Sequence, residues 1–467
     1  MTTLAMPPLQ TKTVGTTIRG KIIDGSLNAP IEDGAVVFEG ERIVWVGPRE
    51  RMALQYGGPE YEQIALPGRS VLPGLIDGHT HISFGEARSE EELALYTPVE
   101  YRAIKAIWNA KKVLQAGVTS AFDAATTYDV AQSVRDAIDA GMFEGPRFAV
   151  SGRQLTTHQG LEDSFPNSVQ FPAGQAGVLV KSRDEIIEAI RYQVKDRVDA
   201  IKVSGSNDSL ITPDSLNGSA FTLDEFKLIA NEAHRLGKMC TVHARSRDSI
   251  LFAAKAGFDI IFHASYIDDE GIEACLKSGS AINPTLTLLV NIVAAAETMA
   301  TASDVSGVSG VDPFKREIEA AATNLPKAYR AGVPFIAGSE SGWSPVPYGE
   351  WHAREMQIFV ELFGFAPLEA IHASTLGATR CLKRFGDEVG KLEAGRLADI
   401  LVVDGDPSEN VTVLQQKSRF DYVFKGGKKI DLAPPAPRRE WFFERHKMFL
   451  NGKLRYDEQT GKGRITQ

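Results

Sequence analysis

The chain has few cysteines, no long apolar run and no excess of positive charge. Its 467 residues include three cysteines, Cys240, Cys275 and Cys381, which are far apart and form no CxxC pair. Because an odd and scattered set of thiols does not build a disulfide framework, we expect reduced and mostly buried cysteines.

The lack of apolar runs and of basic charge excludes further classes of protein. No segment approaches the roughly 18 consecutive apolar residues of a membrane helix, and the start, MTTLAMPPLQTKTVG, does not resemble a signal peptide. The formal net charge is -9, whereas nucleic acids and acidic membranes bind basic surfaces. We therefore expect a cytoplasmic protein with neither nucleic acid nor membrane as a partner.

The composition that remains is that of a globular protein, with 43% hydrophobic and 24% charged residues. The length suits a barrel of about 250 residues or more together with an accessory domain.

Short apolar segments separated by turn residues occupy both ends of the chain. They fill residues 16–72, where Glu39-Gly40-Glu41 is typical of a tight turn, and they return in 397–431. We predict a small β-sandwich built from residues 1–72 and 390–431. The last segment, 432–467, begins with prolines and is predicted to be an arm, whose Trp441, Phe442 and Phe443 favour contacts in a homo-oligomer.

The middle of the chain, residues 73–389, alternates strand-like and helix-like segments. Amphipathic stretches such as 99–117, 182–197 and 223–237 separate the candidate strands, and 287–330 is helical without clear limits. Eight candidate strands can be counted, at 71–79, 117–124, 146–152, 199–205, 238–244, 258–264, 280–286 and 333–339. This alternation predicts an α/β protein with a (β/α)8 TIM barrel.

Two histidines stand one residue apart at the end of the first predicted strand, in VLPGLIDGHTH. Residues i and i+2 of a strand face the same side, so the rings of His79 and His81 can bind one metal ion together. Asp77, just before them, is expected to orient a histidine ring rather than to bind metal.

Further metal-binding side chains stand at the carboxyl ends of later strands, where barrels of this kind place reactive groups. These are Lys202, His243, His263 and Glu340. The chain has nine histidines, and His234, His372 and His446 fall in helix-like or tail segments where a structural or solvent-facing position is expected.

Lys202 is unfavourable as an ammonium ion in a buried mouth lined with cations. We expect it to be neutral, and a neutral amine can add carbon dioxide to give a carbamate anion. The alternative is a lysine of the barrel interior paired with a carboxylate.

These segments resemble the amidohydrolase superfamily, in its branch of imidazolonepropionase-related, prolidase-like and ochratoxinase-like hydrolases. The resemblance rests on PGLIDGHTH, GVTSAFDA, IKVSGS, VHA, FHAS, AGSESG and GKLEAGRLADILVVDGDP. It implies two divalent ions, usually zinc with cobalt or manganese as alternatives, bridged by a hydroxide and a carboxylated lysine. By position, His79, His81 and Glu340 would hold the first ion, His243 and His263 the second, and Lys202 the bridge.

One position departs from the pattern of that superfamily, which has Asp where this chain has Glu340 after Gly338-Ser339. That acid binds metal and carries the proton from the attacking water to the leaving group. The extra methylene moves the carboxylate unless the backbone compensates, so occupancy by a single metal ion stays open.

The loops beyond the strands supply candidates for substrate binding. SGRQLTTHQG resembles a loop in which relatives bind the substrate carbonyl through a histidine, which makes His158 a candidate catalytic group. Arg245, Tyr266 and His352 lie on other loops that can contact substrate. Aromatic loop residues favour an aryl-bearing small molecule: Phe165, Phe171, Trp343, Tyr348 and Trp351.

The function predicted from the sequence is metal-dependent hydrolysis of a C–N bond by a metal-activated hydroxide. The substrate would be a small amide or a dipeptide-like, carbamate or urea-type compound. A deaminase or a hydrolase that opens cyclic amides is the alternative within the superfamily, and a barrel protein without catalytic activity is a further one.

Overall fold

The computed structural model of the protein describes residues 13–158, 160–208, 218–302, 311–435 and 453–466. Its strands are β1 (Gly15–Ile22), β2 (Ile31–Glu39), β3 (Arg42–Pro48), β4 (Tyr61–Pro73), β5 (Leu75–Thr80), β6 (Val118–Asp123), β7 (Arg147–Val150), β8 (Gln154–Thr156), β9 (Gly177–Leu179), β10 (Ala200–Ser204), β11 (Met239–Ala244), β12 (Ile260–His263), β13 (Ala281–Asn283), β14 (Ile400–Asp404), β15 (Phe420–Lys425), β16 (Lys428–Lys429), β17 (Lys453–Asp457) and β18 (Lys462–Thr466). Its α-helices are α1 (Val99–Gln115), α2 (Val130–Asp139), α3 (Arg183–Lys195), α4 (Leu223–Arg235), α5 (Arg247–Ala256), α6 (Asp269–Ser278), α7 (Leu286–Ala302), α8 (Asp312–Ala331), α9 (Arg354–Phe363) and α10 (Pro367–Ala373).

Both ends of the chain contribute to one mixed sheet of seven strands, in the order β16-β15-β14-β4-β1-β2-β3. Strand β4 lies between β1, to which it is parallel, and β14, to which it is antiparallel. The predicted turn between β2 and β3 is present, and Gly40 has a φ of 56°, which glycine adopts at little cost. The predicted pairing of the two chain ends is confirmed by this sheet, and the sandwich itself stays a prediction.

The central strands are parallel and form two sheets, one of β5-β6-β7 and one of β13-β12-β11-β10-β8-β9. An isolated bridge from Ser151 to Ala200 links β7 to β10. Two more bridges join Ile282 to Phe335 and Thr80 to Ser341. They place the segment 335–341 between β13 and β5. The first seven predicted strands of the middle are thus present, while the eighth takes part through these bridges.

One hydrophobic cluster shows that the two parallel sheets curve around a shared interior. It takes apolar side chains from β5, β6, β7, β10, β11, β12, β13 and the segment 335–341, and its members include Ile76, Phe122, Ala149, Ala200, Met239, Ile260, Phe262, Ala281 and Ile336. Ala378, Cys381, Leu382 and Val389 belong to the same cluster and cover one end of it. The interior is therefore packed, and the opposite end is left for polar side chains.

The helices that separate the strands begin and end as their sequences predict. Thr222 caps α4 by accepting a hydrogen bond from the backbone N of Glu225, whose side chain accepts from the N of Thr222 in return. Gly257 and Gly279 end α5 and α6 in the left-handed conformation. The region without clear limits, 287–330, contains α7 and α8.

The predicted arm lies partly outside the described residues, and Trp441, Phe442, Phe443 and His446 are among those not described. Residues 453–466 form an antiparallel hairpin of β17 and β18, here called the C-terminal hairpin. The side chain of Leu454 in this hairpin is fully buried.

The expectation about the cysteines is borne out. All three cysteines are free and buried, as expected for reduced thiols. Within the described part of the chain, no helix combines the length and the apolar character needed to cross a membrane.

Candidate metal centre

The six predicted metal-binding residues come together where the central strands end. His79 is on β5, Lys202 on β10, His243 on β11 and His263 on β12, with Glu340 in the segment beside β5. Every one of these side chains, and that of His81, is buried. The strand ends therefore gather the nitrogen and oxygen donors of distant sequence segments in one enclosed place.

The imidazoles form a continuous group. The Nε2 atoms of His79 and His81 are 3.1 Å apart. The ring centroid of His263 lies 5.7 Å from that of His79 and 4.5 Å from that of His243. Burial lowers the pKa of all four histidines, and neighbouring positive charges, Lys202 among them, lower it further. The rings are thus neutral, which is the form that binds metal.

A carboxylate completes the first part of this group. Among the described residues, the ligand atoms of His79, His81 and Glu340 lie within 4.8 Å of one another. Glu340 reaches the histidines although its side chain is longer than that of Asp, and its backbone adopts a φ of 58°. Because a non-glycine residue adopts this left-handed backbone only at a cost, the surrounding structure must hold Glu340 in place.

Several atoms of the site have no hydrogen-bond partner among the described residues. They are Nδ1 of His79, Nε2 of His263 and Oε2 of Glu340, all buried. Buried polar atoms are normally paired, because leaving one unpaired costs roughly 1–3 kcal/mol. A divalent cation bound by lone pairs of this set would satisfy the ring nitrogens and the carboxylate, so the residues present fit a metal ion.

The outer atoms of two rings are held by neighbouring groups. Nδ1 of His81 donates to the carbonyl oxygen of Ala125 at 3.0 Å, which leaves its Nε2 as a lone-pair donor. Nδ1 of His263 is 2.6 Å from the hydroxyl of Thr285, which leaves its Nε2 free in the same way. Hydrogen bonds of this kind fix the tautomer and the orientation of a metal-binding imidazole.

Lys202 is enclosed among the histidines, with its Nζ 3.9 Å from the ring centroid of Phe262. Burial lowers its pKa to about 7, although the negative charges of Glu340 and Glu162 raise it. A large fraction of this amine is therefore neutral near pH 7, as the carbamate hypothesis requires.

Asp77 joins the first strand to the segment that carries Glu340. Its Oδ1 accepts hydrogen bonds from the backbone N of His79 and of Ser339, both at 3.0 Å. Its Oδ2 accepts from the hydroxyl of Ser339 at 2.5 Å and faces Nδ1 of His352 at 2.6 Å. Asp77 thus orients a histidine ring, as the sequence indicated, and that ring belongs to His352.

His352 has no ring nitrogen left for a substrate. Nδ1 donates to Asp77, and Nε2 accepts from the backbone N of Gly349 at 2.9 Å. The expected role in substrate binding does not fit this arrangement, because a side chain cannot recognise a ligand through atoms that the protein already occupies.

His158 lies on the loop that follows β8. Its side chain is 59% exposed, and its Nδ1 is 3.1 Å from Oδ2 of Asp163. Its role as an oxyanion donor stays a prediction from the sequence. The resemblance located the loop, but a loop can take many conformations over the same strands.

Arg245 is fully buried beside the histidines and is held by two carboxylates. Its Nε donates to Asp208 at 3.1 Å and its Nη1 to Glu317 at 2.5 Å, while Nη2 has no described partner. Burial lowers the pKa of this guanidinium, but the two carboxylates outweigh burial and raise it above its ordinary value. The half-buried Tyr266 follows on the next loop, and its backbone N donates to the carbonyl oxygen of Arg245 at 3.3 Å.

Two acidic residues of the site were missed by the sequence analysis. Burial raises the pKa of Glu162 to about 7, and its carboxylate accepts a hydrogen bond from the side chain of Gln154. The negative charge of this carboxylate raises the pKa of Lys202. Asp123 is buried at the end of β6, with one oxygen accepting from the backbone N of Ile82 at 2.6 Å and the other unpaired. Asp123 could have been found as a polar residue at a strand end, whereas the loop position of Glu162 gives no periodic signal.

The arrangement of Arg245 yields a prediction about stability. Arg245→Met removes the cation from two buried carboxylates, and breaking a buried pair costs about 3–5 kcal/mol. Arg235→Met is the matched control, because Arg235 is an exposed side chain of α4 that pairs with Glu232, and an exposed charge contributes little to stability. Urea denaturation followed by tryptophan fluorescence measures both, and equal losses of stability would contradict the assigned burial.

Comparison with solved structures places the fold among known hydrolases. The superposition on Aspergillus niger ochratoxinase covers 90% of this chain and 96% of the ochratoxinase chain, with a TM-score of 0.77 and 24% identity. The superposition on a Xaa-Pro dipeptidase with bound methionine in its active site covers 89% of this chain and 99% of the dipeptidase chain, with a TM-score of 0.76 and 26% identity. These likenesses agree with the predicted α/β, TIM-barrel-like class.

Comparison with curated sequences and family profiles agrees. Ochratoxinase of Aspergillus niger is 27% identical in an alignment of 432 residues that covers 88% of this chain and 85% of that protein. Imidazolonepropionase of Shewanella denitrificans is 24% identical over 87% of this chain and 96% of its own. The profile of the Amidohydrolase family matches residues 70–430 and ends before the C-terminal hairpin. The chain therefore belongs to the Amidohydrolase family, as the motifs at its strand ends indicated, and it is a hydrolase that acts on C–N bonds.

Proposed function

We propose that this protein hydrolyses the C–N bond of a small amide or of a dipeptide-like, carbamate or urea-type compound at the buried group of histidines. The observation that carries the proposal is the donor set itself. Four neutral imidazoles, a carboxylate and a lysine with a pKa of about 7 meet where the parallel strands end. Ring and carboxylate atoms of this set have no hydrogen-bond partner among the described residues. The two sheets would close into an eight-stranded barrel through the segment 335–341, with this group at its mouth.

The donor set divides into two parts that support two ions. His79, His81 and Glu340 would hold the first, and His243 and His263 the second, with a carboxylated Lys202 between them. Divalent ions at these positions, most simply zinc, would lower the pKa of a water molecule and polarise the substrate carbonyl. The first pair of histidines lies at the end of β5 and the second at the ends of β11 and β12, and this separation supports a pair of ions over a single one.

Glu340 is the residue that would move the proton. Its unpaired Oε2 can accept a proton from water and deliver it to the leaving nitrogen. Burial raises the pKa of Glu340 to about 8 in the metal-free protein, while Arg245 and Lys202 lower it. An acid whose pKa is near neutrality can both take and return a proton during turnover.

The substrate groups that the loops recognise remain a proposal as well. Arg245 and Tyr266 lie next to the histidines, and the unpaired Nη2 of Arg245 supports contact with an oxygen of the substrate. Two of the aromatic residues that favoured an aryl-bearing substrate, Tyr348 and Trp351, are buried in contacts with the rest of the protein. They are therefore less accessible to a substrate. The cytoplasmic location and the homo-oligomer, like the domain limits at residues 72, 389 and 431, stay predictions from the sequence.

Turnover of a substrate panel, with metal analysis of the same samples, tests the proposed function. Aryl amides, N-acyl amino acids, dipeptides, carbamates and phenylureas represent the proposed class, while cyclic amides and aminated heterocycles represent the alternative reactions. Metal-dependent turnover confined to the second group would replace the proposal with ring opening or deamination.

Loss of the second pair of histidines should remove metal. We expect His243→Ala and His263→Ala each to lower the metal content by about one ion per chain and to abolish most turnover, since each ring is a ligand. His234→Ala is the control, because that ring lies on α4 and pairs with Asp259 at 2.9 Å. Elemental analysis of purified variants measures the content, and full metal in either site variant would refute the assignment.

Carboxylation of Lys202 should depend on pH in a defined direction. The pKa is lowered from 10.5 to about 7, so the amine is protonated and unreactive at acidic pH and becomes neutral as the pH rises through 7. With ¹³C-bicarbonate, we expect a carbamate NMR signal that grows over this interval and is absent in Lys202→Met. A signal that first appears near pH 10, or that survives in the Met variant, would contradict the proposal.

Glu340→Gln separates metal binding from proton transfer. We expect the variant to keep its fold and to lose about a hundredfold to ten-thousandfold in turnover, the usual contribution of a positioned acid or base. Glu340→Asp should lose less, because it keeps the acid and only shortens its reach. Steady-state kinetics across pH on a panel substrate distinguish them, and an unchanged Gln variant would assign the proton to another group.

A further inference from the structure

The loop that follows Glu340, residues 341–353 and here called the site loop, is held between the metal centre and the C-terminal hairpin. It is almost entirely buried, although it lies at the mouth of the strands. Its contacts run in two directions, and together they connect the end of the chain to the metal-binding residues.

The C-terminal hairpin packs on one side of the site loop through an apolar contact. Leu454 is fully buried in a cluster with Val346 and Trp351 of the loop and with Leu288 of α7. Tyr456 adds an edge contact to the ring of Trp351, with centroids 5.4 Å apart. The hairpin thus covers side chains that would otherwise be exposed apolar surface.

Polar contacts fix the register of the same interface. Nε1 of Trp351 donates to the carbonyl oxygen of Leu454 at 2.8 Å, and the N of Leu454 donates to the carbonyl oxygen of Ser344 at 3.4 Å. Arg455 binds Glu350 at 2.7 Å, and Lys417 lies 3.3 Å from the same carboxylate oxygen. The hairpin is therefore bound to the backbone and to the side chains of the loop.

On its other side, the site loop holds the first metal-binding segment. The hydroxyl of Tyr348 donates to the carbonyl oxygen of His81 and accepts from the N of Gly85 at 3.1 Å. Trp343 packs against Phe84 with centroids 5.1 Å apart, and Phe84 stacks on the ring of His81 at 4.2 Å. Both the backbone and the ring of His81 thus depend on the position of this loop.

We propose that the C-terminal hairpin is a clasp for the metal centre, acting through the site loop and with Tyr348 as a positioning residue for His81. This inference rests on the proposed metal centre. The contacts form an unbroken series from Leu454 to Trp351, along the loop to Tyr348, and from Tyr348 to His81. The hairpin contributes no metal ligand, so its role is to keep the ligand of another segment in place.

Full-length variants of two positions test the clasp. Leu454→Ser weakens the apolar contact, and Tyr348→Phe removes only the hydroxyl that binds His81. Gln459→Ala, at the exposed turn between β17 and β18, is the control. Hydrogen exchange reports on the hairpin, the site loop and residues 81–87 separately, and a chelator competition measures the rate of metal loss.

We expect Leu454→Ser to increase exchange in all three segments and to accelerate metal loss about ten- to hundredfold, the usual effect of removing support for a ligand. Tyr348→Phe should accelerate exchange in 81–87 and metal loss while the hairpin stays protected. Gln459→Ala should match the wild type. If Leu454→Ser does not fold, Leu454→Ala takes its place with the same expectations.

The clasp is refuted if Leu454→Ser loosens the hairpin and the site loop while residues 81–87 and the rate of metal loss keep their wild-type values. Failure of the proposed metal centre has a different signature, because the wild-type protein would then retain no metal at all. Exchange of residues 81–87 in the metal-free variants still tests the clasp in that event.

Discussion

The rest of the structure depends on one costly arrangement, a buried group of donor atoms that no described residue of the protein satisfies. Keeping unpaired nitrogens and oxygens out of water is unfavourable, so the surrounding backbone must hold them against relaxation. The N of Glu340 donates to the carbonyl oxygen of His79 at 2.7 Å, and Asp77 ties the same two segments through side-chain contacts. His263 adds a φ of 72° to the left-handed φ of Glu340. Strain gathered at the strand ends is stabilised by the packed interior beneath them.

Charge around the site shifts the histidines and Glu340 towards the forms that bind a cation, although burial still leaves the pKa of Glu340 raised to about 8. After burial, the guanidinium of Arg245 is among the causes that lower the pKa of His243 and His263, and it also lowers that of Glu340. One positive charge thus favours neutral imidazoles and an ionised carboxylate together. Asp208 and Glu317 pair with Arg245 and reduce the repulsion that a bare guanidinium would exert on a metal ion.

The sequence was most informative where periodicity and chemistry coincide. His79, Lys202, His243 and His263 could be placed together because parallel strands bring their carboxyl ends to one edge. The surroundings of His158 and His352 could not be predicted, since the conformation of a loop follows from its particular contacts, here with Asp163 and with Asp77. At the chain ends, alternation identifies strands, but the pairing of β4 with both β1 and β14 decides how they join into one sheet.

The position of β4 between the two ends of the chain has a consequence for biosynthesis. Val71 pairs with Val402, so the sheet stays incomplete until some 330 further residues have left the ribosome, which takes about 20–60 s at typical rates of translation. During that interval β4 is an open edge, able to pair with the edge of another nascent chain. Arg69 lies on this edge, and its partners Asp404 and Asp421 arrive only with the last strands. Until then its unpaired charge opposes aggregation, and afterwards the same guanidinium joins β14 and β15 to the finished sheet.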